Sequence, residues 1–252
     1  MQVAVCVKQI PDPATPSQLD PTTHFLQRPE DQVLDDTDRY GIEVALQVAE
    51  QTEGTVTIVS MCPSGSLQGI RQALAMGADK AVIIDDPTLR GADALTTARI
   101  LSAAIEREGF DLVVAGTEST DGYCGVVPQQ MSELLDVPAL TFARRVEVAD
   151  GTVRIQRQTA SGYDVVEAPT PVLLAVTAGV VEPRYPTFKG IMAAKSKPVD
   201  MLTAADLAVD VVPAQEIASV TLAPERAGGE VIEDEGEAHL RIIEVLEQAK
   251  VI

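Results

Sequence analysis

The stretch Phe110–Leu135, FDLVVAGTESTDGYCGVVPQQMSELL, decides the fold. Leu112 to Ala115 is short, apolar and half β-branched, the pattern of a strand buried on both faces. Gly116 ends it. Thr117, Glu118, Ser119, Thr120, Asp121 and Gly122 follow, too rich in hydrogen-bonding groups for a core. After Gly125 the apolar residues Val126, Val127, Met131, Leu134 and Leu135 recur at roughly helical spacing, with Pro128 in a position a first turn tolerates. This is a strand, loop and helix unit. In an open α/β sheet ligands lie beyond the carboxyl ends of strands, where unpaired N–H groups and the dipole at a helix N-terminus attract phosphate. Gly122 and Gly125 let backbone approach such a group. The loop has neither the Gly-Lys-Ser/Thr of a P-loop nor a GxGxxG fingerprint, so a ligand-free, Gly-rich surface loop remains the alternative.

The rest of the chain repeats the unit. Val3 to Val7 reads as a first buried strand, and four prolines from Pro11 to Pro21 keep the chain irregular up to about Val33. Asp35, Asp36 or Thr37 caps a helix with Ile42, Ala45, Leu46 and Ala49 inward, ending at Gly54. Val56 to Met61 is a second strand, with the turn-rich loop Cys62-Pro63-Ser64-Gly65-Ser66 at its tip. A helix from Leu67 to Met76 stops at Gly77. Ala81 to Ile84, a helix over Ala94 to Glu108, and the strand before Gly116 complete the alternation. Parallel strands with right-handed crossovers follow, an α/β fold with a mainly parallel, Rossmann-like sheet and helices on both faces. The loops after Val7, Val59 and Ala115 then share one face.

From Ala139 the rhythm changes. Ala143 to Val148, Val153 to Gln158, Val165 to Ala168 and Val172 to Val176 read as antiparallel additions, with turns at Asp150-Gly151 and Ser161-Gly162. A Pro-rich loop, Val181 to Gly190, carries Tyr185 and Phe188 and leads into a helical Ile191 to Lys195. It is either a docking element or a loop packed down by its two aromatic rings. After Pro198 no core-sized pattern remains. His239 to Ile252 makes one amphipathic helix that needs a surface, which a partner chain supplies best.

The 252 residues allow one domain with an appendage. A net charge of −19 repels nucleic acid and anionic membrane, and aromatics at 3% without Trp argue against base stacking. No apolar run reaches the roughly 20 residues of a bilayer span, so no membrane insertion is expected. Cys6, Cys62 and Cys124 lack metal spacing and suit a reducing cytoplasm. With His24 and His239 as the only histidines, and no nucleophile–base or paired-carboxylate arrangement, the chain reads as a binder rather than a catalyst.

Three segments together resemble the β subunit of electron-transfer flavoprotein: Val5-Cys6-Val7-Lys8-Gln9-Ile10-Pro11-Asp12, Ile70 through Met76-Gly77-Ala78-Asp79-Lys80, and Glu182-Pro183-Arg184-Tyr185 through Met192. The loop Ala115 to Gly122 is similar to the bacterial form. The likeness runs from Met1 to about Asp210. It implies a heterodimer whose α subunit holds the redox FAD while β buries a structural AMP. Electrons then come from flavin dehydrogenases, typically the acyl-CoA dehydrogenases of fatty acid oxidation, and leave to a quinone oxidoreductase or another acceptor. Residues 1–200 become the adenine-nucleotide-binding domain, and 201–252 an extended C-terminal arm and helix packing on the α subunit.

Carried over by position, the nucleotide pocket comprises Cys6; Asp35, Asp36, Thr37 and Asp38; Ile58, Val59, Ser60 and Met61; and Gly116, Thr117, Glu118, Ser119, Thr120, Asp121, Gly122, Tyr123, Cys124, Gly125, Val126 and Val127. The phosphate falls near Gly125, Val126 and Val127. The mitochondrial pattern has Asn, Gln and Thr there, so in this chain backbone N–H donors replace side chains. Asp35 stands where that pattern has Asn. The docking loop maps onto Tyr185 to Lys197, with Phe188 as apolar anchor and Tyr185, Lys189, Ile191 and Met192 beside it. Lys189, Lys195 and Lys197 make it locally basic. In bifurcating members a second FAD replaces AMP and reacts with NADH, and Gly122 and Asp38 suit that variant too. A stand-alone adenine-nucleotide regulator of the stress-protein kind shares the strand–loop–helix plan. It predicts a homodimer and leaves the Glu-Pro-Arg-Tyr loop unexplained.

Overall fold

Alternating side chains divide the protein into two cores, one on each face of a sheet. A computed structural model describes residues 1–62, 67–221, 228–229, 231–234 and 236–252. Residues 63–66 of the loop after the second expected strand lie outside the described residues, as do several between 222 and 235. The chain forms two units, Met1–Ile217 and Ala218–Ile252.

The first unit starts with β1 (Gln2–Cys6), the short pair β2 (Gln9–Ile10) and β3 (Val33–Leu34), α1 (Asp36–Thr52) and β4 (Thr55–Met61). Next come α2 (Gln68–Met76), β5 (Lys80–Ile84), α3 (Ala94–Glu108), β6 (Leu112–Gly116) and α4 (Val127–Leu134). β7 (Ala139–Ala149), β8 (Thr152–Thr159), β9 (Gly162–Pro169), β10 (Val172–Val176), α5 (Phe188–Ala194) and β11 (Val199–Leu202) complete it. In the second unit α6 (Ala238–Gln248) has no buried residue, and Leu240, Ile242, Ile243 and Val245 are exposed.

Among the described residues the main sheet has nine strands in the order β11-β5-β4-β1-β6-β10-β7-β8-β9, and β2 pairs antiparallel with β3. Strands β11 through β7 run parallel, and β8 pairs antiparallel with both β7 and β9. Val3, Val5, Leu112, Val114, Val172 and Leu174 point into the core shared with α1 and α2. Ala4, Val113 and Leu173 point into the core of α3 and α4. The two-residue period of a strand does this, and both faces must be apolar because both are covered. No helix of the described residues is long and apolar enough to cross a membrane.

Two strands depart from the sequence reading. Val172–Val176 is not an antiparallel addition: β10 lies inside the sheet, parallel to both β6 and β7. Its five residues are all buried, the signature of a central parallel strand, which the neighbouring turn signals of β8 and β9 obscure. The chain also makes a strand after Pro198, since β11 extends the opposite edge beside β5. Its burial is partial, with Asp200 and Met201 exposed, so it carries no clear period.

Candidate functional site

Strand order reverses between β1 and β6: the chain leaves β1 for β4 on one side, and β6 lies on the other. Such a reversal splays the loops at the carboxyl ends and opens a crevice for ligand. Here the switch point is flanked by Lys8 after β1, the first turn of α1, and the loop from Gly116 to Val126.

Asp35 is the organising residue. It is fully buried. One carboxylate oxygen accepts from Thr37 N (3.0 Å) and Thr37 Oγ1 (2.8 Å), which caps α1. The other accepts from Thr120 N (2.7 Å) and Thr120 Oγ1 (3.0 Å), which fastens the central loop to that cap. A carboxylate suits this place because it accepts on both oxygens and donates nothing. Lys8 O accepts from Asp35 N (3.0 Å), so the first-strand loop joins the same knot. Both Asp35 oxygens are thus occupied by the protein, and its role is to hold the loop.

Asp38 follows one turn later, buried, accepting from Lys8 N (2.6 Å). A Cβ on Gly116 would lie 3.1 Å from Asp38 Oδ1, so loop backbone and carboxyl touch. Burial, reinforced by the Asp35 carboxylate, holds Asp38 well above the ordinary carboxylate range, against the opposing pull of Lys8. The folded state therefore binds the proton more tightly than the unfolded chain. Stability falls as pH rises from about 4 through the folded value. Asp38→Asn keeps an acceptor for Lys8 N without that cost. The expected thermal melts coincide near pH 4 and separate in favour of the variant as pH rises, whereas a constant offset would refute the buried-acid reading.

Asp121 gathers two cations. Its carboxylate pairs with Lys8 Nζ (2.6 Å) and with Arg28 of the Pro-rich excursion. Burial pushes the Asp121 carboxyl up, but Lys8 and then Arg28 outweigh it and hold it below its usual value. The resulting stabilisation is present above about pH 4 and is lost as pH falls further. Lys8 Nζ also donates to Ser119 Oγ (3.3 Å). Arg28 Nη1 reaches Gln9 O and Gln32 Oε1 at 3.4 Å each. No local signal marks Lys8 or Arg28 for this, since Arg28 sits 93 positions from Asp121 in a stretch without periodicity.

Thr117 donates through N and Oγ1 to Val176 O (3.0 Å each), tying the loop to β10. The backbone turns at Tyr123 (φ 49°) and Gly125 (φ 63°), leaving Tyr123 65% exposed and Cys124 exposed. Glu118 and Gly122 are exposed too. Val126 begins α4 without any side-chain cap. With its carboxamide turned the way its surroundings require, Gln129 donates to Gly125 O and Val126 O (3.3 Å each), so it caps no N–H of the first turn of α4. Of the other expected pocket residues, Asp36 is exposed and pairs with Arg39 (3.1 Å), on a different side of the turn. Ile58 and Val59 are wholly buried within β4, Ser60 is buried at its end, and Met61 is half-buried. Cys6 ends β1, its thiol pushed up to about 12 by burial and by Asp38.

A second cluster presents an apolar surface. Tyr185 and Phe188 are 83% and 80% exposed, and Lys189, Ile191 and Met192 are exposed beside them, so the two rings do not pack the loop down. What holds the loop is Arg184. Its Nε and Nη2 donate to the two oxygens of Glu43 (2.8 and 3.1 Å), its N donates to Glu43 (3.1 Å), and Nη1 reaches Glu50 (2.5 Å). Burial raises Glu43, but Arg184 more than offsets it and holds that carboxyl low. The bidentate bond is Arg chemistry that Lys cannot reproduce. Lys197, one of the three expected basic residues, is turned inward onto carbonyls of α2.

Comparison with known proteins gives the family. A family model described as electron transfer flavoprotein domain matches residues 23–207. The electron transfer flavoprotein subunit beta of Mycobacterium tuberculosis is 39% identical over 263 aligned positions, covering 99% of each chain. That of Thermoanaerobacterium thermosaccharolyticum is 36% identical over the whole of both chains. A caffeyl-CoA reductase-Etf complex subunit of Acetobacterium woodii is 31% identical over 92% of each. A match of this length, embracing both the switch-point loop and the Arg184 segment, shows that the chain belongs to the electron transfer flavoprotein family, as a β subunit.

Proposed function

We propose that the chain pairs with an electron transfer flavoprotein α subunit and carries electrons from a flavin dehydrogenase to a quinone oxidoreductase or another acceptor. It is an electron carrier component rather than a catalyst with machinery of its own. The observation that carries the reading is the pair of separate features on one unit: a hydrogen-bonded loop knot at the sheet's switch point and an exposed apolar segment held by Arg184.

The switch-point loop suits AMP as a structural ligand. Gly116, Gly122 and Gly125 keep the loop free of side chains where a nucleotide must approach backbone, and a Cβ on Gly122 would crowd Ser119 Oγ at 3.3 Å. No side chain caps the start of α4, so backbone N–H groups there would serve a phosphate. Bound AMP supplies no chemistry, only added stability through its preference for the folded pair. Of the expected arm 201–252, residues 218–252 form the second unit, and the α chain covers the exposed apolar side chains of α6. FAD is then held mainly by α, and Phe188 anchors the dehydrogenase.

The test is to co-purify the two chains, denature them and identify what is released. One FAD and one AMP per heterodimer is the expected result. Two FAD without AMP would replace AMP by a second flavin and point to the bifurcating type. A stable homodimer that captures no α chain would sink the assignment.

A further inference from the structure

α5 is only seven residues long and buries just Ala194. Helices this short do not hold themselves in water, and its large apolar side chains face outward. Its order must come from its ends. At the start, the Thr187 hydroxyl accepts from Gly190 N (3.0 Å). A Cβ on Gly190 would stand 2.5 Å from Ala75 O, so α5 rests directly on the backbone of α2. Beside that contact a cleft of about 600 Å³ opens between Arg71, Gln72 and Ala75 on one side and Pro186, Ile191 and Lys195 on the other. With only Ala194 buried, apolar packing does little to set the angle of α5.

Reciprocal capping fixes it. Arg71 Nη1, from α2, donates to Ala194 O (2.8 Å) at the end of α5. Lys197 Nζ, just beyond α5, donates to Leu74 O (3.0 Å), Gly77 O (3.1 Å) and Ala78 O (2.5 Å) at the end of α2. Each helix thus receives a cation on its negative end from the other's segment. We propose that Arg71 and Lys197 are positioning residues for docking: their mutual capping of α2 and α5 holds Phe188, Ile191 and Met192 in the conformation the electron donor binds. This rests on the docking reading above. Preordering these side chains spares the complex the entropy of fixing them on encounter.

The test uses the co-expressed heterodimer with a medium-chain acyl-CoA dehydrogenase and octanoyl-CoA as the probe donor. Lys197→Met is expected to raise KM for the flavoprotein about fivefold with kcat within twofold, because it loosens the bound conformation without touching the flavin. Amide exchange over residues 188–197 should quicken about tenfold. Lys197→Arg, which still donates to carbonyls, is expected to restore both, and Arg71→Met to reproduce the loss. An unchanged exchange rate in Lys197→Met, or quickened exchange with an unchanged KM, overturns the positioning role. If Phe188→Ala leaves the parent's rate intact, the docking reading itself is lost and this inference goes with it.

Discussion

Asp35→Ala is expected to lower the melting temperature of the co-purified heterodimer by roughly 10 °C. The substitution removes the acceptor of Thr37 N at the start of α1 and of Thr120 N in the central loop. An N-cap is worth about 1 kcal/mol, and each buried donor left without a partner costs about 1–3 kcal/mol. The sum is roughly 3–5 kcal/mol, and a chain of this size loses about 2–4 °C per kcal/mol. Asp35→Asn retains one accepting oxygen and should fall between parent and Ala. The comparison must be made at fixed protein concentration and cofactor load, since anything bound to the folded pair raises its apparent stability. A drop below about 2 °C for the Ala variant would mean the loop does not depend on this carboxylate.

Phe188→Ala is expected to reduce the kcat/KM of electron transfer from a dehydrogenase by about thirtyfold, with FAD content unaltered. A large apolar side chain that is 80% exposed contributes little to folding, so its truncation spares stability. Buried in a partner's pocket, such an anchor is worth about 2 kcal/mol or more, which converts to that factor. Stopped-flow reduction of the flavoprotein by the substrate-reduced dehydrogenase reads it directly. Equal rates for variant and parent would remove Phe188 from the anchor role.

The difference between these two residues is also a difference in what sequence can disclose. Asp35 follows the Pro-rich stretch and precedes the apolar face of α1, so its capping role is legible from its neighbours. Its hold on Thr120 is not, because the two are 85 positions apart. Likewise the Glu-Pro-Arg-Tyr motif marks Arg184 as notable, yet nothing local names Glu43 and Glu50 as its partners, more than 130 positions upstream. Lys197 reads as one more surface cation beside Lys189 and Lys195. Only folding shows its ammonium spent on the end of α2.

What the sequence determined by itself was whatever short-range physics controls. Two-sided apolar runs specify β1, β4 and β6, helical periods specify α1 and α3, and Gly109 (φ 75°) ends α3 because a left-handed residue is needed there. The tertiary structure alone decided the seat of β10 between β6 and β7, the return of β11 to the sheet, and the convergence of Lys8, Arg28 and Asp121. The reason is that a strand's pattern records whether its faces are covered but not which neighbour covers its edge. A charge likewise records no address for its partner until the backbone brings the two within reach.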